Sequence, residues 1–122
     1  MSSSILQTSV AQINVELLAI DKNLSKHIDY IRSAQQQNSQ LLLFPELSLS
    51  GYQLGLNTPQ VAMFASDERL LQLAAVAPQM CVLVGFVEKA SPGEYYNAMA
   101  LLQNGQIQAV HRKLNLPTYG GL

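Results

Sequence analysis

The sequence predicts an α/β fold with a layered sheet, and three observations predict it. Short apolar runs rich in Leu, Ile and Val alternate with segments of helical period, in the order strand, helix, strand, helix, strand. Two of the runs, residues 41–44 and 80–87, are continuously apolar, as in strands covered on both faces inside a parallel sheet. The last two runs flank Asn104-Gly105, a pair whose tolerance of positive φ makes it the strongest short-range hairpin signal. Length and composition agree: 122 residues suit one small domain, and 48% apolar against 12% charged residues is too apolar for disorder.

The elements follow in order. Residues 5–13 form a β-rich run, and Asp21 offers an N-cap for a helix over 22–36. Leu24, Ile28, Ile31 and Ala34 recur every three or four residues on it, forming one core-facing stripe. Gln35 to Asn38 fray it into a polar turn, after which 41–44 is a buried strand closed by Pro45. The stretch 48–57 is loop-like in its Ser, Gly and Asn content. Asp67 caps a second helix over 68–77 with Leu70, Leu71, Leu73, Ala74 and Ala77 inward, and Pro78 stops it. The strand 80–87, a Ser91-Pro92-Gly93 turn and the hairpin strands 95–102 and 107–113 complete the series.

Charge excludes several functions. Seven basic against eight acidic side chains leave a net charge of −1, with no basic field for nucleic acid. The single cysteine, Cys81, excludes an internal disulfide and a multi-cysteine metal site, which suits a reducing cytoplasm. The N-terminus lacks the basic and apolar regions of a secretory signal. The uncharged stretch 70–87 is split by Pro78-Gln79, so no membrane span is expected.

Scarce charge also makes two residues visible. Glu46 is the sole charge between Arg32 and Asp67, immediately after a buried strand in Phe44-Pro45-Glu46. Ligands in open α/β sheets bind beyond the carboxyl ends of strands, and a carboxylate desolvated there has its pKa raised towards the range of a general base. A salt-bridged or solvated carboxylate beside a turn is the equally weighted alternative. Lys113 ends the second hairpin strand within Arg112-Lys113-Leu114, and alternation sends Arg112 and Lys113 to opposite faces. One of them can face a site, where a lysine would supply charge for an oxyanion; a basic pair terminating a surface strand is the blander reading.

These two segments resemble the nitrilase, or carbon-nitrogen hydrolase, superfamily. The resemblance rests on Phe44-Pro45-Glu46 followed by Gly51-Tyr52, and on Arg112-Lys113 followed by Leu116-Pro117-Thr118, with the hairpin just before the lysine. It implies an α-β-β-α sandwich, of which residues 1–122 are an incomplete N-terminal portion, and a Glu-Lys-Cys triad in which Glu46 is the base and Lys113 the oxyanion stabiliser. It implies hydrolysis of a non-peptide carbon-nitrogen bond in a small amide or nitrile; the sequence itself carries no Gly-rich phosphate loop or metal-ligand cluster, so no cofactor or metal is expected. Leu116-Pro117-Thr118-Tyr119-Gly120 is similar to the loop of members related to the glutaminase domain of NAD synthetase, which favours amides; His111-Arg112-Lys113-Leu114 also resembles nitrilases.

The family's nucleophilic cysteine lies beyond the lysine, in a segment outside this sequence, so the chain alone is expected to be inactive. It would need a complementing C-terminal polypeptide, or act as a homo-oligomer. A non-catalytic remnant serving in dimerisation or regulation is the alternative, and missing strands should leave an exposed apolar sheet face. Cys81, inside an apolar strand, reads as a core residue. Tyr52, after Gly51, would border the substrate pocket. His27 reads as a surface or half-buried helix residue, His111 as a hairpin residue that could line the site, and Tyr95, Tyr96 and Asn97 as hairpin packing.

Overall fold

The computed structural model describes residues 6–52, 54 and 57–116. Residues 1–5, with Ile5 of the first β-rich run, residues 53, 55 and 56, and the run from Pro117 to Leu122 with its Pro-Thr pair lie outside the described residues.

Strand β1 (Thr8–Val10) leads through α1 (Ile20–Gln36) to β2 (Leu41–Leu43), and β2 leads through the short α2 (Thr58–Val61) and α3 (Glu68–Val76) to β3 (Cys81–Ser91). β4 (Glu94–Gln103) and β5 (Gln106–Leu116) then continue as a meander. The five strands form one sheet in sequence order, with β1, β2 and β3 parallel and β3, β4 and β5 antiparallel. Right-handed crossovers place both long helices on the same face of such a sheet, and α1 and α3 touch there.

Each helix has a physical start and stop. α1 begins at Ile20 after Ala19, which offers no side-chain cap; Asp21, expected as the cap, lies in the first turn, where its charge favours the helix dipole. The C-terminal end is sharper than a frayed polar turn. Asn38 adopts φ 60°, Ser39 N–H donates to Ala34 O at 3.0 Å and Asn38 N–H to Gln35 O at 3.0 Å, the two bonds of a Schellman cap. In α3 the expected cap is present: the Asp67 carboxylate accepts from Arg69 N–H at 2.8 Å. Asp67→Ala should cost about 1 kcal/mol, read as a lower denaturant midpoint with unchanged slope.

The core lies between the helices and one sheet face. Leu42, Val82, Val84, Ala100 and Leu102 point into it and are buried, together with Ile31, Leu70 and Leu73 from the helices. Full burial of each such leucine is worth about 1.5–3 kcal/mol. Leu71, expected inward, is 41% exposed, because successive helical residues lie 100° apart and the buried stripe runs through Leu70, Leu73, Ala74 and Ala77.

The opposite face carries Leu41, Leu43, Cys81, Leu83, Met99 and Leu101 in register across β2, β3 and β4, all half-buried, with Val10 68% exposed at its margin. One helix layer on one sheet, with the second sheet face apolar and open, is half of the expected four-layer sandwich. No helix among the described residues is long and apolar enough to cross a membrane.

Candidate active site

β2 stops at Leu43, and beyond it the free edge of β3 is taken over by loops. Phe44 N–H donates to Leu83 O, Leu49 N–H to Gly85 O, and Met63 N–H to Val87 O, each within 2.9–3.0 Å. The segment Pro45-Glu46-Leu47 crosses directly over Gly85. A Cβ built on Gly85 would lie 2.4 Å from Leu47 N and 2.5 Å from Pro45 O, so only glycine admits the loop. Gly85 belongs to the open face, alternating with Val84 and Phe86 on the helix face, so Glu46 stands above the open side at the end of β2.

The turn after Glu46 is strained and held from below. Leu47 has φ 50°, a left-handed conformation costly for a branched side chain, and its carbonyl accepts from Ser50 N–H at 3.1 Å and Gly51 N–H at 2.8 Å. Two buried polar residues one turn apart on α1 fasten the loop. Asn23 donates to Leu49 O at 2.9 Å, while its oxygen accepts from Glu16 N–H at 2.7 Å.

His27 is fully buried, not half-exposed as its helix position suggested. Its ring stacks on Phe44, with centroids 4.2 Å apart, and its nitrogens reach Asn23 O at 2.6 Å and Ser48 Oγ at 2.9 Å. Burial lowers its pKa to about 4, so the ring is neutral at pH 7. A carbonyl can only accept, so Nδ1 bears the proton and Nε2 accepts from the Ser48 hydroxyl. Gly85 N–H in turn donates to Ser48 Oγ at 3.2 Å, which ties α1, the loop and β3 together.

Lys113 arrives from the other side. β5 has a bulge where Ala98 pairs with Arg112 and Asn97 with Leu114, leaving Lys113 as the extra residue. Bulges commonly re-aim a side chain beside a site, and here Lys113 Nζ donates to Glu46 Oε2 across the open face. The side chains are 41% and 45% exposed. Asn97 Nδ2 donates to the other carboxylate oxygen, Oε1, at 3.3 Å. The expected alternation is observed: Arg112 turns to the helix side, where it grips buried Glu88 at 2.8 and 3.1 Å and lies over the Tyr96 ring.

The electrostatics of Glu46 are those of the salt-bridged, solvated alternative and not of a desolvated carboxyl. The group is exposed, and the hydrogen bond from Lys113, then that from Asn97, then the lysine's charge hold its pKa below the ordinary carboxylate value. It is therefore ionised at pH 7.

The other candidates separate. Cys81 is half-buried with its pKa raised by burial, and it lies four residues before Gly85, about 13 Å along the strand. Tyr52 is exposed and borders a shallow hollow with Val15, Leu17 and Gly51, without a hydrogen bond to Glu46 or Lys113. His111 is exposed opposite Met99. Asn97, read as packing the hairpin, is buried between paired strands there, and its amide also reaches the carboxylate. Its one signal in the sequence is a lone amide in an otherwise apolar strand centre.

A parallel sheet that turns antiparallel, with a carboxylate and an ammonium paired at the end of its strands, defines a candidate hydrolytic site in an α/β protein. Comparison gives the family: the carbon-nitrogen hydrolase model matches residues 7–121, and the chain belongs to that family. It is 36% identical over 118 residues to the glutamine-dependent NAD(+) synthetase of Thermotoga maritima, covering 94% of this chain and 20% of that protein. It is 29% identical to the aliphatic nitrilase of Rhodococcus rhodochrous, over 93% of this chain and 34% of the nitrilase.

Among solved structures it is similar to the glutamine-dependent NAD+ synthetase of Acinetobacter baumannii, with TM-score 0.70, 31% identity, and coverage of 91% of this chain and 22% of that one. It also matches an amidase from Nesterenkonia sp., with TM-score 0.77, 23% identity, and coverage of 93% and 44%. The chain thus spans about a fifth of the NAD(+) synthetases and under half of the amidase.

Proposed function

We propose that this chain supplies the base and the oxyanion-stabilising cation of an amidase-type carbon-nitrogen hydrolase, acting on a small amide. The observation that carries the reading is the Glu46–Lys113 pair, assembled on the open face from residues 67 positions apart. Glu46, kept ionised by its partners, takes the proton of a cysteine thiol contributed from outside these residues. The sulfur attacks the amide carbon, and the Lys113 ammonium offsets the charge gathering on the former carbonyl oxygen. The proton on Glu46 then passes to the departing nitrogen as the carbon-nitrogen bond breaks. Water, deprotonated by the same carboxylate, hydrolyses the thioester. The glutaminase-type relatives favour an amide over a nitrile, and Tyr52 would border the pocket.

By itself the chain lacks a competent nucleophile, since Cys81 is distant from the pair and its thiol is held protonated. Purified chain given glutamine, short aliphatic amides and nitriles should release no ammonia above background. Release abolished by Cys81→Ala would overturn that assignment. Mixed with a polypeptide carrying the downstream half of the family's domain, the chain should gain activity that Glu46→Gln removes. The open apolar face favours a second reading, a dimerisation or regulatory subunit; a stable complex with that half but no turnover would select it.

A further inference from the structure

The pair at the open face leaves one feature unexplained. Glu46 is a half-exposed side chain on a loop, and Lys113, its ionic partner, is a half-exposed ammonium on a long flexible stem. Neither can hold the other in one place, because each would pay rotamer entropy for a solvent-screened contact. The third member is different. Asn97 is only 8% exposed, sits in the middle of β4 between paired strands, and has two side-chain torsions.

Its amide orientation follows from chemistry, since a carboxylate can only accept and the NH2 group must face Glu46 Oε1. That choice leaves Asn97 Oδ1 buried without a hydrogen-bond partner. An unmet buried acceptor costs stability, and a leucine of the same branching opposite Leu114 and Val87 would avoid that cost.

We propose that Asn97 is a positioning residue for Glu46, fixing Oε1 from a rigid strand while Lys113 neutralises Oε2. The two carboxylate oxygens are thereby made unequal, Oε1 being held by a buried amide on a strand paired on both sides and Oε2 by an exposed ammonium. The significance of the arrangement for catalysis rests on the reading of Glu46 as the base; the contact itself does not, and it can be tested on the chain without turnover.

The experiment is an NMR pH titration of the Glu46 side-chain carboxyl in the 122-residue chain, with the Asn97 side-chain amide followed in parallel. In the wild type the Asn97 amide resonances should shift with the Glu46 midpoint, and Glu46→Gln should abolish that shift. Asn97→Leu should move the Glu46 midpoint upward without lowering the melting temperature. Asn97→Asp, isosteric and hence the safeguard if leucine fails to fold, should move it further upward because two carboxylates then face each other.

A Glu46 midpoint unchanged in both variants overturns the proposal and leaves Asn97 a packing residue. So does an amide resonance that ignores the Glu46 titration. Neither result would touch the hydrolase reading, which falls only if the complemented protein stays inactive or is indifferent to Glu46→Gln.

Discussion

Gly85→Ala should remove at least about 3 kcal/mol of stability and dislodge Glu46 from Lys113. Alanine is the better strand residue by backbone propensity, so any loss must come from the added methyl group. That methyl would meet Leu47 N at 2.4 Å, Pro45 O at 2.5 Å and Glu46 C at 2.9 Å. All three are backbone atoms, and none can swing aside as the end of a side chain could. The loop has little freedom to lift either, because Leu49 N–H donates to Gly85 O and Ser48 Oγ is bound between Gly85 and His27.

Relief therefore requires breaking the loop's anchorage or bending the central strand of the sheet. Denaturant unfolding measures the first effect, and the upward movement of the Glu46 titration midpoint as its donors withdraw measures the second. A variant as stable as the wild type with an unmoved midpoint would mean that the loop does not lie on the strand.

What the sequence disclosed of this arrangement, and what it concealed, follows from the range of the forces involved. Asn104 and Gly105 announce the hairpin because both adopt positive φ, 57° and 71°, a requirement of the local backbone alone. Asp67 announces α3 for a similar reason, its partner being two residues away. Glu46 and Lys113 were visible through their isolation in uncharged sequence. Their pairing depends on a bulge in β5, which no residue pattern around Lys113 marks.

For the same cause the residues around Glu46 leave a desolvated and a salt-bridged carboxylate evenly balanced. Position after a buried strand suggested desolvation, whereas the side chain emerges on an open face and is governed by Lys113 and Asn97. The burial of His27 escapes a helical stripe traced through apolar residues alone. Its ring lies on the same face as Leu24 and Ile31, and its polar ends are satisfied by Asn23 O and by Ser48, 21 residues ahead. Long-range partners of this kind decide whether a polar residue on an apolar face can be buried, and periodicity is silent about them.

The second large effect is acid destabilisation through His27. Its folded-state pKa is about 4 against an ordinary histidine value of 6.5. Above pH 6.5 neither the folded nor the unfolded form is protonated there, and the full stability is present. As pH falls from 6.5 towards 4, the unfolded chain binds a proton that the folded chain refuses, and stability drops by about 1.4 kcal/mol per pH unit. The total is about 3 kcal/mol, levelling off once the folded ring also protonates.

The carboxylates with lowered pKa, Glu46, Asp67 and Glu94, act in the same direction but in a lower window, losing their contribution as pH falls below their ordinary values near 4. Urea midpoints measured from pH 7 to 5 therefore isolate the histidine. His27→Gln, which can still bond Ser48 but does not titrate, should start less stable at pH 7, having lost the ring stacked on Phe44, and should show a flatter slope across that interval. Parallel slopes for the two proteins would place the pH dependence elsewhere.

Protonation also has a local consequence for the site. A charged ring would donate from Nε2, so the Ser48 hydroxyl would have to turn away and donate to Gly85 O, 3.3 Å distant, instead. The contact between Nε2 and Ser48 Oγ would persist with its direction reversed, the ring donating and the hydroxyl accepting, so the cost of protonation lies in burying the charge. Between pH 6.5 and 4 the folded ring stays neutral, so any acceleration of amide exchange from Leu47 to Gly51 should match the fall in global stability and be smaller in His27→Gln.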